Sequence, residues 1–334
     1  MTVRIGMIGP GAMGRSHIER IRRRIAGAEV VAVSDLDDEH ARTVAMQIGA
    51  AAYPTSAELI AAADVDAVMI CSHGPAHRDD VVAAVDAGKP VFCEKPLAPT
   101  ASECLDIMDA EQRAGRRLVT VGFMRRFDPG YVQMKDILTS GEIGEPLIFH
   151  SAHRNPAVPL QYTPDMAIND TAIHDIDIVR WLLAEEVTTV RVDTPRATRH
   201  RPGRLQDPLI LILSTTSGVW VDVEIFVNNQ HAYDVQGELV AETGTVRLTD
   251  QQVVERSGTA GRGHRLAMDH NERFAAAFDA ELQQWVAAVA HGECTGPSSW
   301  DGYAAASVCD AAVRAIHAEA ATSVSMIERP ALYR

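Results

Sequence analysis

Short apolar runs alternate with amphipathic stretches through the first third of the chain. Val3–Ile8, Glu29–Ser34, Ala67–Cys71, Pro90–Cys93 and Leu118–Gly122 read as buried strands. Met13–Ala26, Glu39–Ile48, Asp79–Ala87 and Ala101–Ala114 read as the helices between them. Strands apolar on both faces and linked by helices make a parallel sheet covered on both sides, and right-handed crossovers make it doubly wound. After Gly122 the rhythm becomes an apolar–polar alternation, in Pro146–His153, Thr188–Asp193, Leu209–Thr215, Val219–Val227, Tyr233–Ala241 and Thr245–Leu248. The turn pairs Ser217-Gly218 and Thr243-Gly244 join neighbouring strands, so these ladders are expected to be mostly antiparallel. Helices are expected at Thr171–Leu183, Asn271–His291 and from Asp301 to Ala318. An open sheet with helices on one side leaves a face that an identical subunit would cover.

A chain of 334 residues is long for one core and suits two. The net charge of -14 argues against nucleic acid, which needs an excess of Lys and Arg on one face. The basic run Arg20–Arg24 fits a solvated helix face, and Arg199–Arg204 and Ser257–Arg265 read as loops. Five scattered cysteines without a C-x-x-C pair give neither a disulfide framework nor a zinc spacing. The N-terminus enters a strand with no charged or apolar signal region, and no apolar run is long enough to span a membrane. A cytoplasmic protein is the expectation.

Gly9-Pro10-Gly11-Ala12-Met13-Gly14 follows the first strand and opens the first helix. In that context the first glycine makes the turn, the second admits a pyrophosphate against the backbone, and the third packs helix on strand. The helix start offers free N–H groups and partial positive charge to phosphate. Asp35, at the end of the second strand, is placed for a ribose 2′-hydroxyl and would repel a 2′-phosphate, which favours NAD over NADP. Ser72, His73, Pro75 and His77 follow the third long strand on the same sheet edge. His77 suits either the nicotinamide side or a structural place at a helix start. The fold class is therefore α/β: a Rossmann-type doubly wound parallel sheet over residues 1–122, then an α+β domain with an open, mostly antiparallel sheet over 123–334.

Oxidising a hydroxyl needs a hydride acceptor, a base for the proton and a cation for the developing alkoxide. Lys95, in Glu94-Lys95-Pro96 at the end of the fourth strand, is a compact cation with three donors on the cofactor edge. Taken alone it also fits a surface lysine. Asp170 and His174 stand four apart where a helix begins, so a carboxylate can hold an imidazole as a general base. A helix-capping Asp170 beside an incidental histidine satisfies the same spacing. Asp175 and Asp177 read as surface charges complementing the helix dipole.

The runs Cys93-Glu-Lys-Pro-Leu97, Gly122-Phe-Met-Arg-Arg-Phe-Asp-Pro-Gly-Tyr131, His153-Arg-Asn-Pro156 and Asn169-Asp-Thr-Ala-Ile-His174 resemble the glucose–fructose oxidoreductase/inositol dehydrogenase/MocA family, and its inositol branch in particular. The resemblance is densest from Gly9 to about Ala241. It implies NAD as cofactor, with Gly9, Gly11, Ala12, Met13, Gly14, Asp35, Ser72, His73, Pro75, His77, Glu94 and Lys95 around it. It implies Lys95 bridging hydroxyl and cofactor, His174 as base assisted by Asp170, and Arg125, His153, Asn155 and Tyr233 lining a polyol pocket. No metal is implied. The expected reaction is oxidation of a cyclic polyol to a ketone, myo-inositol first. Scyllo-inositol, an aldose or a keto-sugar are the alternatives, and the expected assembly is a homotetramer.

Overall fold

The computed structural model describes residues 2–249, 255–259, 261–263, 265–318 and 320–334. Its first part runs β1 (Val3–Ile8), α1 (Ala12–Arg23), β2 (Ala28–Ser34), α2 (Asp38–Ile48), β3 (Ala51–Ala52), α3 (Ser56–Ala61), β4 (Ala67–Ile70), α4 (His77–Asp86), β5 (Val91–Glu94), α5 (Ala101–Ala114) and β6 (Val119–Gly122). The second begins with α6 (Pro129–Ser140), β7 (Pro146–Arg154), α7 (Pro164–Met166) and α8 (Ile173–Leu183). It continues through β8 (Val187–Asp193), β9 (Leu209–Thr215), β10 (Trp220–Phe226), β11 (Asp234–Ala241) and β12 (Thr245–Arg247). The chain ends with β13 (Arg256–Gly258), β14 (Gly261–Gly263), α9 (His270–Arg273), α10 (Ala275–Ala290), α11 (Ser299–Ala318) and β15 (Thr322–Ser323).

Two compact units result. The first comprises Met1–Met124, Phe278–Ser307 and Met326–Arg334, and the second Arg125–Ala277 and Val308–Ser325. The reading that placed all of 123–334 in the second unit is thereby corrected, for a physical reason. Leu282, Trp285 and Val286 of α10 lie in the same apolar cluster as Ile5 and Met7 of β1, Ile18 and Ile21 of α1 and Val33 of β2. Asp279 reinforces this, accepting from Arg20 at 2.6 Å and from Arg24 at 3.0 Å. The basic run on α1 is thus partly spent on α10 rather than on solvent. The carboxylate of Glu111 is fully buried and accepts from the Leu118 and Val119 amides, the Ser299 hydroxyl and the Tyr333 hydroxyl, so it also ties the C-terminal residues to this unit.

The first unit's sheet has the order β3-β2-β1-β4-β5-β6, with every pair parallel. This is the doubly wound order, in which ligands bind beyond the carboxyl ends of the strands where the order reverses, here between β1 and β4. The second unit's sheet has the order β12-β11-β7-β10-β9-β8-β15, antiparallel except for β10 beside β7. One face carries inward residues such as Phe149, Leu211, Leu213, Val221, Val223 and Leu239, all fully buried. The other presents Ile148, Ile210, Ile212 and Phe226 half-buried and Trp220 at 45% exposure.

Four features depart from the sequence reading. The helix α6 was not expected, although Asp128 caps it through the Gly130 and Tyr131 amides, Pro129 occupies its first turn and Gly141 closes it with positive φ. The stretch Asn271–His291 is broken at Phe274 into α9 and α10. Within Ser257–Arg265, read as loop, β13 and β14 form a two-stranded ladder, with Ala260 and His264 lying outside the described residues. Ahead of α8, Ala167–Ala172 form a π-helical turn. Among the described residues no helix is long and apolar enough to cross a membrane.

Candidate active site

The glycine loop divides its labour as the spacing implies. Gly9 has φ +77°, and a Cβ there would lie 2.4 Å from Ser72 Cα, so both the turn and the close approach of the β4 loop demand glycine. A Cβ on Gly14 would stand 2.4 Å from the Gly9 carbonyl oxygen. One on Gly11 would meet nothing within 4 Å. Gly11 is the N-cap of α1, and neither a side-chain cap nor an acidic residue occupies the first turn. Ala12 and Met13 begin the helix there. Open space above uncapped amides at a helix start is what a dinucleotide pyrophosphate requires, and NAD fits this loop.

Asp35 follows β2, its Oδ1 accepting the Asp37 amide at 2.9 Å and its Oδ2 lying 3.4 Å from His40 Nδ1. Arg15 Nη2 donates to His40 Nε2 at 2.7 Å, which fixes the His40 proton on Nδ1, facing Asp35. The sequence reading missed Arg15 and His40. Both belong to helices flanking the loop, so their approach to Asp35 follows from the βαβ geometry and not from local spacing.

His77 is not free to face a nicotinamide. It is buried at the start of α4, with Nδ1 2.7 Å from the Pro96 carbonyl oxygen and Nε2 2.8 Å from that of Ser72. Its role is structural, holding the loop after β4 to the loop after β5. His73 and Pro75 lie in that first loop, in and beside the short 3₁₀ turn Gly74–Ala76. Glu94 is likewise turned inward, against its assignment to the cofactor. Its Oε1 is 2.7 Å from Nε2 of the fully buried His17 of α1, and its Oε2 accepts the Lys95 amide at 3.2 Å. Burial pushes the Glu94 carboxyl up, but the His17 hydrogen bond and the nearby charges outweigh it and hold it below the usual range. The glycine-loop helix thus buttresses the backbone that carries Lys95. The Lys95–Pro96 bond is cis.

In the second unit, α8 is buried almost all round, charges included. Asp175 and Asp177 are 0% and 1% exposed, so they are not surface complements to the helix dipole. Arg125 Nη1 donates to Asp175 at 2.7 Å, and Arg126 makes a two-pronged pair with Asp177 at 2.9 and 2.6 Å. The Met-Arg-Arg-Phe-Asp run is therefore a clamp on the helix that bears His174. Arg125 is 1% exposed, and its guanidinium is engaged by Asp175 and His153. Ser151 donates to Asp175 at 2.8 Å. His153 Nδ1 lies 3.0 Å from Asp175 Oδ2 and 2.9 Å from Arg125 Nη2 and can serve only one of them. We assign its proton to Nδ1, donating to the carboxylate as the stronger acceptor. Burial pushes the Asp175 carboxyl up, yet Arg125 and His153 outweigh it and bring it down to about 2.

The ring of His153 packs 6.2 Å from that of His174 and 5.5 Å, edge-on, from Tyr233. Tyr233 in turn meets His270 at 6.2 Å and Phe274 at 6.3 Å, two neighbours that sequence reasoning did not single out. Burial pushes the Tyr233 phenol up to about 12, so at neutral pH it remains a donor. Asn155 follows β7, and its buried Oδ1 meets no partner among the described residues. Asp170 lies in the π-turn, where Oδ2 accepts from the Tyr162 hydroxyl at 3.0 Å. Imidazole, phenol and amide groups collected in the unit that carries Asp170 and His174 suit a ligand with many hydroxyls.

Residues 3–123 match the model of an oxidoreductase family with an NAD-binding Rossmann fold, and 131–247 match the GFO/IDH/MocA C-terminal domain. The chain belongs to the GFO/IDH/MocA oxidoreductase family. Within it, the chain is 51% identical to inositol 2-dehydrogenase 3 of Saccharopolyspora erythraea, over all of this chain and 98% of that one. It is 50% identical to the inositol 2-dehydrogenase of Burkholderia ambifaria over the whole of both. Among solved structures, the myo-inositol dehydrogenase of Lactobacillus casei in complex with NAD(H) and myo-inositol superposes with a TM-score of 0.97, at 37% identity over 100% of both chains. The scyllo-inositol dehydrogenase of the same organism reaches 0.89 at 24% identity over 97% of this chain and 99% of that one, which shows a common fold and nothing finer. As a GFO/IDH/MocA member the protein is an NAD-dependent dehydrogenase, so the expected class, fold and cofactor all hold.

Proposed function

We propose that this enzyme oxidises a ring hydroxyl of myo-inositol to the ketone with NAD. The observation that carries the reading is the full-length similarity to a structure solved with NAD(H) and myo-inositol, joined to the presence of Lys95, Asp170 and His174 in this chain. Bound NAD supplies the acceptor for the hydride that leaves the carbinol carbon. His174 takes the hydroxyl proton, aided by Asp170, and the Lys95 ammonium donates to the oxygen as its charge develops. His153, Asn155 and Tyr233 receive the remaining hydroxyls. The fold is shared with a scyllo-inositol enzyme, so the isomer is decided by hydroxyl pairing in the second unit and not by architecture. Initial rates of NADH formation across myo-inositol, scyllo-inositol, D-chiro-inositol, glucose and xylose test this directly. Myo-inositol is expected to lead, and an aldose leading with the inositols silent would move the substrate while keeping the chemistry.

Asp35 is the residue that excludes NADP. Removing it in Asp35→Ala leaves Arg15 and His40 beside the ribose position without the carboxylate. The ratio of kcat/KM for NAD over NADP is expected to fall on the order of 100-fold, as loss of a charged hydrogen bond and of a like-charge repulsion implies. An unchanged ratio would remove Asp35 from cofactor choice.

The half-buried apolar residues on the outer face of the seven-stranded sheet suit a second copy of this chain, and a homotetramer in the cytoplasm is the assembly we favour. Light scattering is the check. A species at the monomer mass of 36.2 kDa would refute it.

A further inference from the structure

The segment between β7 and α7 carries a tyrosine that the chemistry above does not use. Tyr162 is 7% exposed, and its hydroxyl lies 3.0 Å from Asp170 Oδ2, 2.9 Å from Thr171 Oγ1 and 3.0 Å from the Met166 carbonyl oxygen. A phenol has one proton to give, and the carboxylate is the strongest of these acceptors. The Tyr162 proton therefore goes to Asp170, and the buried Thr171 hydroxyl donates to Tyr162 Oη. Burial and the Asp170 charge both push the Tyr162 phenol far up, so it keeps that proton at any working pH. The three contacts fall on either end of the π-helical turn Ala167–Ala172, a widened geometry that needs holding in place.

We infer that Tyr162 is a positioning residue: its hydroxyl, oriented by Thr171, fixes the Asp170 carboxylate in the π-turn and draws off part of its charge, and so sets how readily the Asp170–His174 pair takes up a proton. This rests on the assignment of that pair as the base. Among the described residues of this unit, His153 packs beside His174, and Tyr233 and Asp175 with its partner Arg125 pack on His153. Each is held by contacts that Tyr162 does not make. Lys95, assigned to the same reaction, is unaltered by the substitutions below.

Tyr162→Phe deletes one oxygen and keeps the ring. The charge returns to Asp170 and the pair holds its proton more tightly. The acid limb of the kcat/KM profile for the polyol is expected to move about half a unit or more toward alkaline pH, with KM for NAD unchanged. Thr171→Val, which removes the donor to Tyr162, should give a smaller shift in the same direction, and it serves if the phenylalanine variant does not fold. NMR titration of the His174 ring, assigned through His174→Gln, provides a readout independent of turnover, and its midpoint should rise in step. If wild type turns over no polyol, the functional assignment fails while the titration still decides the role of Tyr162. Rates lowered equally at every pH, with His174 titrating as in wild type or at lower pH, would reduce Tyr162 to packing.

Discussion

Replacing Lys95 with alanine is expected to lower kcat on the order of 10³-fold or more, with NAD binding and thermal stability close to wild type. The size follows from the role proposed for Lys95: donation from an ammonium to a developing alkoxide, where one preorganised donor contributes a factor of 10²–10³ and full charge adds to it. The selectivity follows from the local structure. The turn that presents Lys95 is held by its backbone, whose amide donates to Glu94 Oε2, and Glu94 is held by His17 from α1. Neither contact uses the Lys95 side chain, so its deletion leaves the turn and the glycine loop where they are. Lys95→Arg should rescue little, because a planar fork does not reproduce a compact three-donor cation. Stopped-flow rates paired with fluorescence titration of NAD separate the two effects. Turnover within tenfold of wild type, or NAD affinity lost in parallel with kcat, would take Lys95 out of the chemical step.

The legible part of this molecule is the part in which local pattern and global role coincide. The strands of the parallel sheet are apolar on both faces because they are buried on both, and the glycine loop and Asp35 sit at fixed offsets from them. The second sheet was legible for the same reason, through its period of two. The misreadings share a different cause. Asp175 and Asp177 look like dipole-complementing surface charges because what buries them, Arg125 and Arg126, lies fifty residues upstream. A helix of moderate amphipathicity such as α10 announces a buried face but not which core receives it, and this one packs against β1 and α1. Tyr162 carries no signal in its own neighbourhood, since its partners exist only once the chain has turned through α7. The helix α6 is the exception. Its cap, its proline and its closing glycine were all readable, and only Tyr131 and Met134 mark its buried side.

The largest effect on stability is expected at Asp175. Its carboxylate is the common acceptor for Arg125, Ser151 and His153 and is fully buried. In Asp175→Ala the Arg125 guanidinium, 1% exposed, is left as an uncompensated charge and two further donors lose their acceptor, which should cost about 3–5 kcal/mol. Asp175→Asn keeps an acceptor oxygen and should cost less, while still freeing the His153 ring and raising KM for the polyol. The pair also sets an acid limit. With the folded carboxyl held at about 2 and an unfolded aspartate near 3.9, the stabilisation is complete above roughly pH 4 and is lost as pH falls toward 2. Urea midpoints measured across that window should fall steeply for wild type and more gently for Asp175→Asn. An alanine variant that melts within about two degrees of wild type would mean that water reaches Arg125 in solution, and the clamp on α8 would then owe its hold to Arg126 and Asp177.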